Sequence, residues 1–272
     1  MIVASIFLSM GLMLALVDIL DDDSDNSSDN DTVEDAVIEG DEQNDTIMGT
    51  NGLDIIDGKG GDDDLTGREG GDIIIGGEGN DLIKGRAGDD FLQGGEGDDS
   101  LRGGLDNDVL IGGAGDDVMY GAEGDDTLIG ANAFSRDLTV EDVIAMAKDP
   151  SHLPEGYEDA IPSEAEANYL NGGEGDDVLI LGNDDTGVRG EGDDVFHIGH
   201  WVADGQDAPI IEDYTDADDI LMVQYVEGET APTITVQDVN NETHVFANGN
   251  LVARLSSGPG AIAVDDVQLL AV

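Results

Sequence analysis

A large aliphatic side chain returns every nine residues between Ile47 and Leu128, in a segment rich in glycine and aspartate. Each has an aspartate two residues before it and a glycine seven residues before it, and ten consecutive units keep all three positions. A disordered acidic tract would not keep an apolar residue in phase in this way. The unit predicts a very short strand with one inward-facing side chain, and such units bury a core only by stacking on their neighbours.

The repeat length also predicts where the turns between these strands lie. Two units make one coil of 18 residues, so the turns alternate between two opposite edges of the stack. The aspartates of one row are Asp45, Asp63, Asp81, Asp99 and Asp117. Those of the other row are Asp54, Asp72, Asp90, Asp108 and Asp126.

The polar half of each unit has the chemistry of a hard-cation site. In the unit Gly94–Arg102, glycines stand at the first, second and fourth positions and aspartate at the sixth. Glycine permits positive φ and close backbone approach, so the turn can aim its carbonyl oxygens inward. Calcium takes six to eight oxygen ligands at about 2.3–2.6 Å, and carboxylates with carbonyls supply them. The pattern therefore favours Ca²⁺.

The same unit, Gly-Gly-Glu-Gly-Asp-Asp-Ser-Leu-Arg, resembles the nonapeptide of the RTX (repeats-in-toxin) family over residues 40–130 and 169–198. The resemblance implies an all-β fold, a right-handed parallel β-roll. It also implies that each Ca²⁺ sits between two stacked turns, bound by the sixth-position aspartates of both and by turn carbonyls. Five coils leave four gaps in each row, so the main array would hold up to about eight ions. The later units add Asp177 and Asp194 as candidate metal ligands.

Several units depart from the repeat, and weaker sites are expected there. Gln43 replaces a glycine in the first unit, and Thr50 replaces one in the second. Asp106 stands at a fourth position, where aspartate tolerates left-handed geometry better than most residues. The fifth-position aspartates have two open interpretations, charge outside the ligand shell or plain exposure to solvent. They are Asp62, Asp89, Asp98, Asp116 and Asp125.

Composition outside the repeats divides the chain into six parts. An insertion with a short amphipathic helix is expected where Val140, Val143 and Ile144 fall at helical spacing. After residue 198, β-branched runs and the hairpin dipeptide Asn248-Gly249 predict a β-strand cap. The parts are a hydrophobic leader or tether helix (1–20), an acidic linker (21–39), the roll (40–130), the insertion (131–168), the continued roll (169–198) and the cap (199–272).

Both chain ends suggest export. Residues 2–17 are almost wholly apolar but lack a basic start, which leaves two alternatives: a cleaved signal, or an uncleaved helix that enters a membrane or packs against another subunit. The acidic and then apolar ending, residues 265–272, is similar to the uncleaved signals of RTX proteins. The resemblance therefore implies a type I secretion exporter as a partner and a secreted or surface location.

Charge and composition exclude several functions. With 64 acidic against 9 basic residues, a net charge of −55 leaves no basic surface for nucleic acid. There are no cysteines, so neither disulfides nor thiolate metal sites stabilise the chain, and bound metal is the expected substitute. Eight divalent ions would add sixteen positive charges and leave −39, so the metal-free roll is expected to be disfavoured.

No recognisable catalytic motif stands outside the array, and none of the four histidines belongs to an HExxH pattern. We therefore expect no enzyme, no catalytic residues and no cofactor other than calcium. The expected function is a calcium-binding secreted or cell-surface structural protein whose β-roll folds on binding Ca²⁺ outside the cell. The alternative is a calcium-dependent module of an RTX exoenzyme or toxin.

Overall fold

A computed structural model describes residues 36–130, 166–199, 208–215, 219–226, 228–258 and 260–271. Within these ranges the chain folds into two long sheets that face each other. Sheet 1 contains, in spatial order, β1 (Ala36–Glu39), β3 (Asp54–Gly60), β5 (Ile73–Glu78), β7 (Phe91–Glu96), β9 (Val109–Ala114), β11 (Thr127–Ile129), β13 (Val178–Leu181), β15 (Val195–Ile198), β17 (Ile220–Tyr225) and β21 (Val267–Ala271). Sheet 2 contains β2 (Thr46–Met48), β4 (Asp64–Glu69), β6 (Leu82–Ala87), β8 (Ser100–Leu105), β10 (Val118–Glu123), β12 (Tyr169–Glu174), β14 (Thr186–Glu191), β16 (Ile210–Glu212), β20 (Asn250–Leu255), β19 (Glu242–Ala247) and β18 (Ile234–Val239).

Successive strands alternate between the two sheets, which confirms the predicted coil. Each repeat strand pairs in parallel with the strand two places later, as when Ile56 of β3 lies opposite Ile74 of β5. Leu65 of β4 likewise lies opposite Ile83 of β6, again 18 residues on. The all-β parallel β-roll implied by the resemblance to the RTX repeat is therefore the fold of the described residues.

The core is the column of aliphatic side chains that the period identifies. Ile74, Leu92 and Leu110 are completely buried on sheet 1, and Leu65 and Ile83 are completely buried on sheet 2. Burying one such side chain stabilises the fold by about 1.5–3 kcal/mol. Because each unit contributes one core residue, the core grows only as coils stack on one another.

The outward-facing residues of the two sheets differ. On sheet 1, Ile73, Ile75 and Phe91 flank the core residues and are themselves buried. The corresponding positions on sheet 2 include Leu82 and Tyr120, which are exposed. Sheet 1 therefore has a second apolar layer outside the core cluster, and sheet 2 has a surface of mixed character.

Parallel pairing extends beyond both predicted limits of the roll. It begins with β1, inside the expected acidic linker, because Ala36 continues the register of the later strands. It also passes the insertion, where Met119 of β10 lies opposite Leu170 of β12. Past residue 198 it continues through β16, β17 and β21. The helix expected around residues 140–147 and the leader helix of residues 1–20 lie outside the described residues.

The predicted cap strands form an antiparallel extension of sheet 2. β18, β19 and β20 pair in sequence, and the turn between the last two contains Asn248 and Gly249 with φ values of 52° and 89°. Positive φ at both central residues identifies the predicted primed hairpin turn. The C-terminal run forms a short 3₁₀ turn, Val264–Asp266, followed by β21. Across the described ranges, no helix has the length and apolarity that crossing a bilayer requires.

Candidate metal centre

The sixth-position aspartates stack into two columns, which we call the inner ladder. Edge 1 contains, in order, Asp45, Asp63, Asp81, Asp99, Asp117, Asn168 and Asp185. Edge 2 contains, in order, Asp54, Asp72, Asp90, Asp108, Asp126, Asp177, Asp194 and Asp219. In both columns the backbone N–H of each member donates to the side-chain Oδ1 of the next coil. For Asp72 and Asp90 the distance between these atoms is 2.7 Å.

In most aspartates of the inner ladder, the second carboxylate oxygen is buried without a hydrogen-bond partner. From Asp54 onward, the aspartates of the ladder are at most 7% exposed. An ionised carboxylate only accepts hydrogen bonds, and a buried acceptor that lacks a hydrogen bond destabilises the fold by about 1–3 kcal/mol. The aspartates whose Oδ2 is buried and unpartnered include Asp63, Asp72, Asp81, Asp90, Asp108, Asp117, Asp126, Asp177 and Asp194.

Apart from that of Asp194, whose unit begins with Arg189, each of these oxygens points towards the first glycine of its own unit. A Cβ on Gly76 would overlap Asp81 Oδ2 and would lie 2.6 Å from the carbonyl oxygen of Gly94, one coil later. The first-position glycines were expected to supply positive φ, yet Gly76 and Gly94 do not have it, whereas the second-position Gly77 and Gly95 do. The first glycine is needed because a carboxylate oxygen and a carbonyl oxygen converge where its side chain would stand.

Burial raises the pKa of many inner-ladder carboxyls from 3.8 to between about 6 and 9. Removal from water is the largest cause throughout, and for Asp108 the charge of Asp90 comes next. The pKa rises to about 6 for Asp81 and Asp194 and to about 7 for Asp72, Asp117 and Asp126. It rises to about 8 for Asp90 and Asp177 and to about 9 for Asp108. At neutral pH the carboxyls with the highest pKa, those of Asp90, Asp108 and Asp177, hold a proton unless a cation takes its place.

The donor set fits a hard divalent cation. Within the described ranges, no group of three or more acidic, histidine or cysteine side chains converges on one point. A cation between two coils must therefore take backbone carbonyls together with the stacked carboxylates. Oxygen-only, mixed carbonyl and carboxylate coordination is typical of Ca²⁺, while Mg²⁺ usually retains several waters.

The candidate ligands predicted from the sequence all lie in the inner ladder. Asp177 and Asp194 continue edge 2 across the insertion. The first member of each edge differs from the aspartates with an unpartnered Oδ2, because Asp45 Oδ2 accepts the N–H of Asp41 at 2.8 Å and Asp54 Oδ2 accepts that of Thr50 at 2.5 Å. These two aspartates belong to units whose departures from the repeat, Gln43 and Thr50, predicted weaker sites.

Sequence reasoning missed three members of the ladder: Asn168, Asp185 and Asp219. Asn168 and Asp185 each stand directly before a strand of sheet 2, and Asn168 keeps the two-residue spacing to Leu170. That spacing was the available signal. Asp219 ends edge 2, where its Oδ2 accepts the Thr215 N–H at 2.6 Å.

The fifth-position residues form a second column, which we call the outer ladder. Its side chains are exposed or half-buried, and each Oδ1 accepts the backbone N–H of the equivalent residue one coil later, at 2.8–3.2 Å. Aspartate and asparagine share these positions. The members on edge 1 are Asn44, Asp62, Asn80, Asp98 and Asp116, and those on edge 2 are Asp89, Asn107, Asp125, Asp176 and Asp193.

Comparisons with known proteins identify the repeat. A family model described as RTX calcium-binding nonapeptide repeat (4 copies) matches residues 39–74, 66–101, 75–110, 93–128 and 164–196. A comparison with curated proteins gave no significant match. Among solved structures, the chain is similar to the extracellular lipase LipA from Serratia marcescens, with 18% identity and a TM-score of 0.24. The alignment covers 87% of this chain and 40% of the lipase chain, so this chain spans less than half of the lipase's length.

Proposed function

Because residues 39–128 and 164–196 belong to the RTX calcium-binding nonapeptide-repeat family, we propose that this protein is a structural protein that folds on calcium. In the proposal, the chain leaves the cell with its inner ladder ionised and unpaired. Calcium outside the cell then binds between the coils and stabilises the roll. Binding free energy thereby becomes folding free energy, as in other metal-dependent domains.

The observation that carries the proposal is the inner ladder. In most of its aspartates Oδ2 is a buried acceptor without a hydrogen-bond partner, and neighbouring carbonyl oxygens are acceptors too. The ion pairs formed by Lys59 and Lys84 are with Glu39 and Asp64, which are not ladder members. A cation lies near the ladder at the end of edge 2, where Arg189 is 3.7 Å from Asp219. Repulsion along two such columns opposes folding, and a divalent cation in each gap reverses the sign of that interaction.

The proposal includes location, partners and the absence of catalysis. We place the protein outside the cell or on its surface, delivered by a type I exporter that reads residues 265–272. Residues 1–20 are its means of self-association or membrane attachment. The protein is not an enzyme, because the repeats and the cap take up most of the chain and neither carries a recognisable catalytic motif.

Calcium titration of the whole chain, followed by far-ultraviolet circular dichroism, tests the proposal. In excess chelator at alkaline pH, where the inner-ladder carboxyls lose their protons, the chain is expected to be largely unfolded. β structure should then appear cooperatively, with a midpoint at about 10⁻⁴–10⁻³ M calcium, the range of extracellular calcium modules. Chelation afterwards should return the unfolded spectrum.

Magnesium at the same concentrations is the matched control, because it prefers a smaller octahedral shell that retains water. Magnesium is expected to leave the spectrum of the chelated protein nearly unchanged. A native-like spectrum in excess chelator at alkaline pH would overturn the proposal. Equal responses to the two ions would show that general charge screening, and not a calcium site, drives folding.

A further inference from the structure

The inner ladder crosses the insertion differently on its two edges. The repeats form two blocks, one before Gly130 and one after Asn168, with 37 residues between them where a regular unit has four. Both edges keep their column of N–H to Oδ1 hydrogen bonds across this gap. On edge 2 the bond joins Asp126 to Asp177, and on edge 1 it joins Asp117 to Asn168, each at 2.8 Å.

On edge 2 the crossing has the same unpaired acceptors as the regular coils. A Cβ on Gly121 would overlap Asp126 Oδ2 and would lie 2.6 Å from the carbonyl oxygen of Gly172, which belongs to the second block. Asp126 is 1% exposed and Asp177 is completely buried, and neither Oδ2 has a hydrogen-bond partner. Two carboxylates and a carbonyl from both blocks therefore surround one gap with no donor between them.

On edge 1 an amide replaces the carboxylate and supplies the missing donor. Asn168 is 2% exposed, and its Nδ2 donates to the carbonyl oxygen of Gly130 at 2.7 Å. Gly130 is the first-position glycine of this interrupted unit, so its carbonyl belongs to the set that is otherwise available to a cation. The neutral amide satisfies that carbonyl by itself.

The next member of edge 1 is also satisfied within the protein. Asp185 Oδ1 accepts the N–H of Asn168 at 2.9 Å, and its Oδ2 accepts the N–H of Gly182 at 2.6 Å. A Cβ on Gly130 would approach Asp185 Oδ2 and a methyl group of Leu170, whereas the equivalent point on Gly121 meets a carbonyl oxygen. Of the two kinds of acceptor that converge at Gly121, a carboxylate oxygen is present at Gly130 but already has a donor, and a methyl group is among the three nearest atoms in place of the carbonyl oxygen.

We infer that calcium joins the two blocks of repeats along edge 2 only, through a site formed by Asp126, Asp177 and the Gly172 carbonyl. Edge 1 crosses the insertion through a metal-free hydrogen-bonded step at Asn168. This inference rests on the proposed calcium binding and assigns where along the edges the ions stop. The calcium column of edge 1 ends at Asp117, while that of edge 2 continues into the second block.

A reciprocal pair of substitutions tests the inference through the number of calcium ions bound per chain. Asn168→Asp restores the regular residue on edge 1 and should add one ion. Asp177→Asn places the amide on edge 2 and should remove at least one. The full-length chain is saturated with calcium, its folding is checked by circular dichroism, and bound calcium is counted by native mass spectrometry.

An unchanged count in Asn168→Asp would mean that the natural step already holds an ion, and an unchanged count in Asp177→Asn would mean that edge 2 has no joining site. Either result overturns the inference. If Asn168→Asp does not fold in calcium, Asn168→Ala replaces it in the test. Asn168→Ala should bind as many calcium ions as the wild type, so a lower count would contradict the metal-free step at Asn168. A wild-type chain that binds no calcium would instead refute the proposed function.

Discussion

The inner and outer ladders use similar side chains at the same 18-residue spacing, yet they differ in almost every physical respect. Inner-ladder side chains accept from the preceding coil, and outer-ladder side chains accept from the following one. Asp90 on the inner ladder is completely buried, while its neighbour Asp89 on the outer ladder is half-buried. Adjacent residues of one turn therefore accept hydrogen bonds from coils on opposite sides, and one residue is buried while the other lies nearer to solvent.

Substitution within the repeats follows this difference. Asn44, Asn80 and Asn107 occupy outer-ladder positions, where an amide oxygen accepts the backbone N–H as well as a carboxylate oxygen does. On the inner ladder the main array contains only aspartate, and the single asparagine, Asn168, stands where a carbonyl needs a donor. In the proposed function a charge is required on the inner ladder, where a cation would bind, whereas on the outer ladder an acceptor is sufficient.

The largest expected effect is that of pH on the metal-free chain. Carboxyls of the inner ladder have pKa values of about 6 to 9 in the roll, as for Asp81 and Asp108, against 3.8 as the ordinary value. The roll therefore binds more protons than the unfolded chain between about pH 4 and 9, and its stability falls as pH rises. Each such carboxyl contributes about 1.4 kcal/mol per pH unit.

In chelator, circular dichroism should consequently show β structure near pH 4 to 5 that disappears as the pH approaches 9. With calcium the dependence reverses, because protons compete for the same oxygens, and the calcium midpoint should rise as the pH falls. A metal-free spectrum that does not change across this range would contradict the raised pKa values of the inner-ladder carboxyls.

A smaller effect is expected from a methyl group placed against the inner ladder. In Gly103→Ala the new Cβ would overlap Asp108 Oδ2, and overpacking of this kind costs about 1–3 kcal/mol. The calcium midpoint of folding should therefore rise by about tenfold, since 1.4 kcal/mol is a factor of ten.

The matched control for Gly103→Ala is Gly60→Ala, because Gly60 lies in the same roll and does not have positive φ. A Cβ on Gly60 would meet its nearest atom, Glu42 Oε2, at 3.4 Å, which is ordinary van der Waals contact. We expect this variant to shift the calcium midpoint much less. A shift for Gly60→Ala as large as that for Gly103→Ala would show that the loss of glycine itself, and not the space beside Asp108, weakens folding.

The smallest and sharpest comparison exchanges one charge on each ladder. Asp90→Asn keeps an acceptor for the Asp72 N–H but removes a ligand charge, so the calcium midpoint should rise severalfold. The same variant should be more stable than the wild type in chelator, because a buried charge is lost. Asp89→Asn keeps the acceptor for the Asn107 N–H and should change the midpoint less than about twofold.

Calcium titrations of the two variants beside the wild type, followed by circular dichroism, give these midpoints. Equal midpoints for Asp90→Asn and Asp89→Asn would mean that the two positions share one role. That result would remove the distinction between the ladders.

The period in the sequence was sufficient to predict the coil, the core column and the register of Asp177 and Asp194. It could not distinguish a glycine needed for positive φ, such as Gly77, from one needed for space, such as Gly76, because both demands select the same residue. The difference depends on which atoms of the next coil lie nearby, and this emerges only from the stacked structure.

Two members of the ladder were hidden by local exceptions to the repeat. The long gap after Gly130 separates Asn168 from the first glycine of its own unit, so the unit was not recognisable. Asp185 is followed two residues later by Gly187, where an aliphatic was expected. The structure places a methyl group of Leu181 3.1 Å from the point where a Cβ would stand on Gly187, so a side chain from a neighbouring position fills the core there.

The place of the insertion has a consequence for how such a chain can be altered. The residues on either side, Gly130 and Asn168, are joined by a hydrogen bond of 2.7 Å, so the inserted segment leaves and rejoins the roll at one point. The coil that carries it keeps its register with the coils before and after, because β10 still pairs with β12. Because the two ends of this turn lie close together, we expect that another sequence can replace the inserted segment without shifting any strand. Both evolution and protein engineering can use such a site to display a new segment on the proposed calcium-stabilised scaffold.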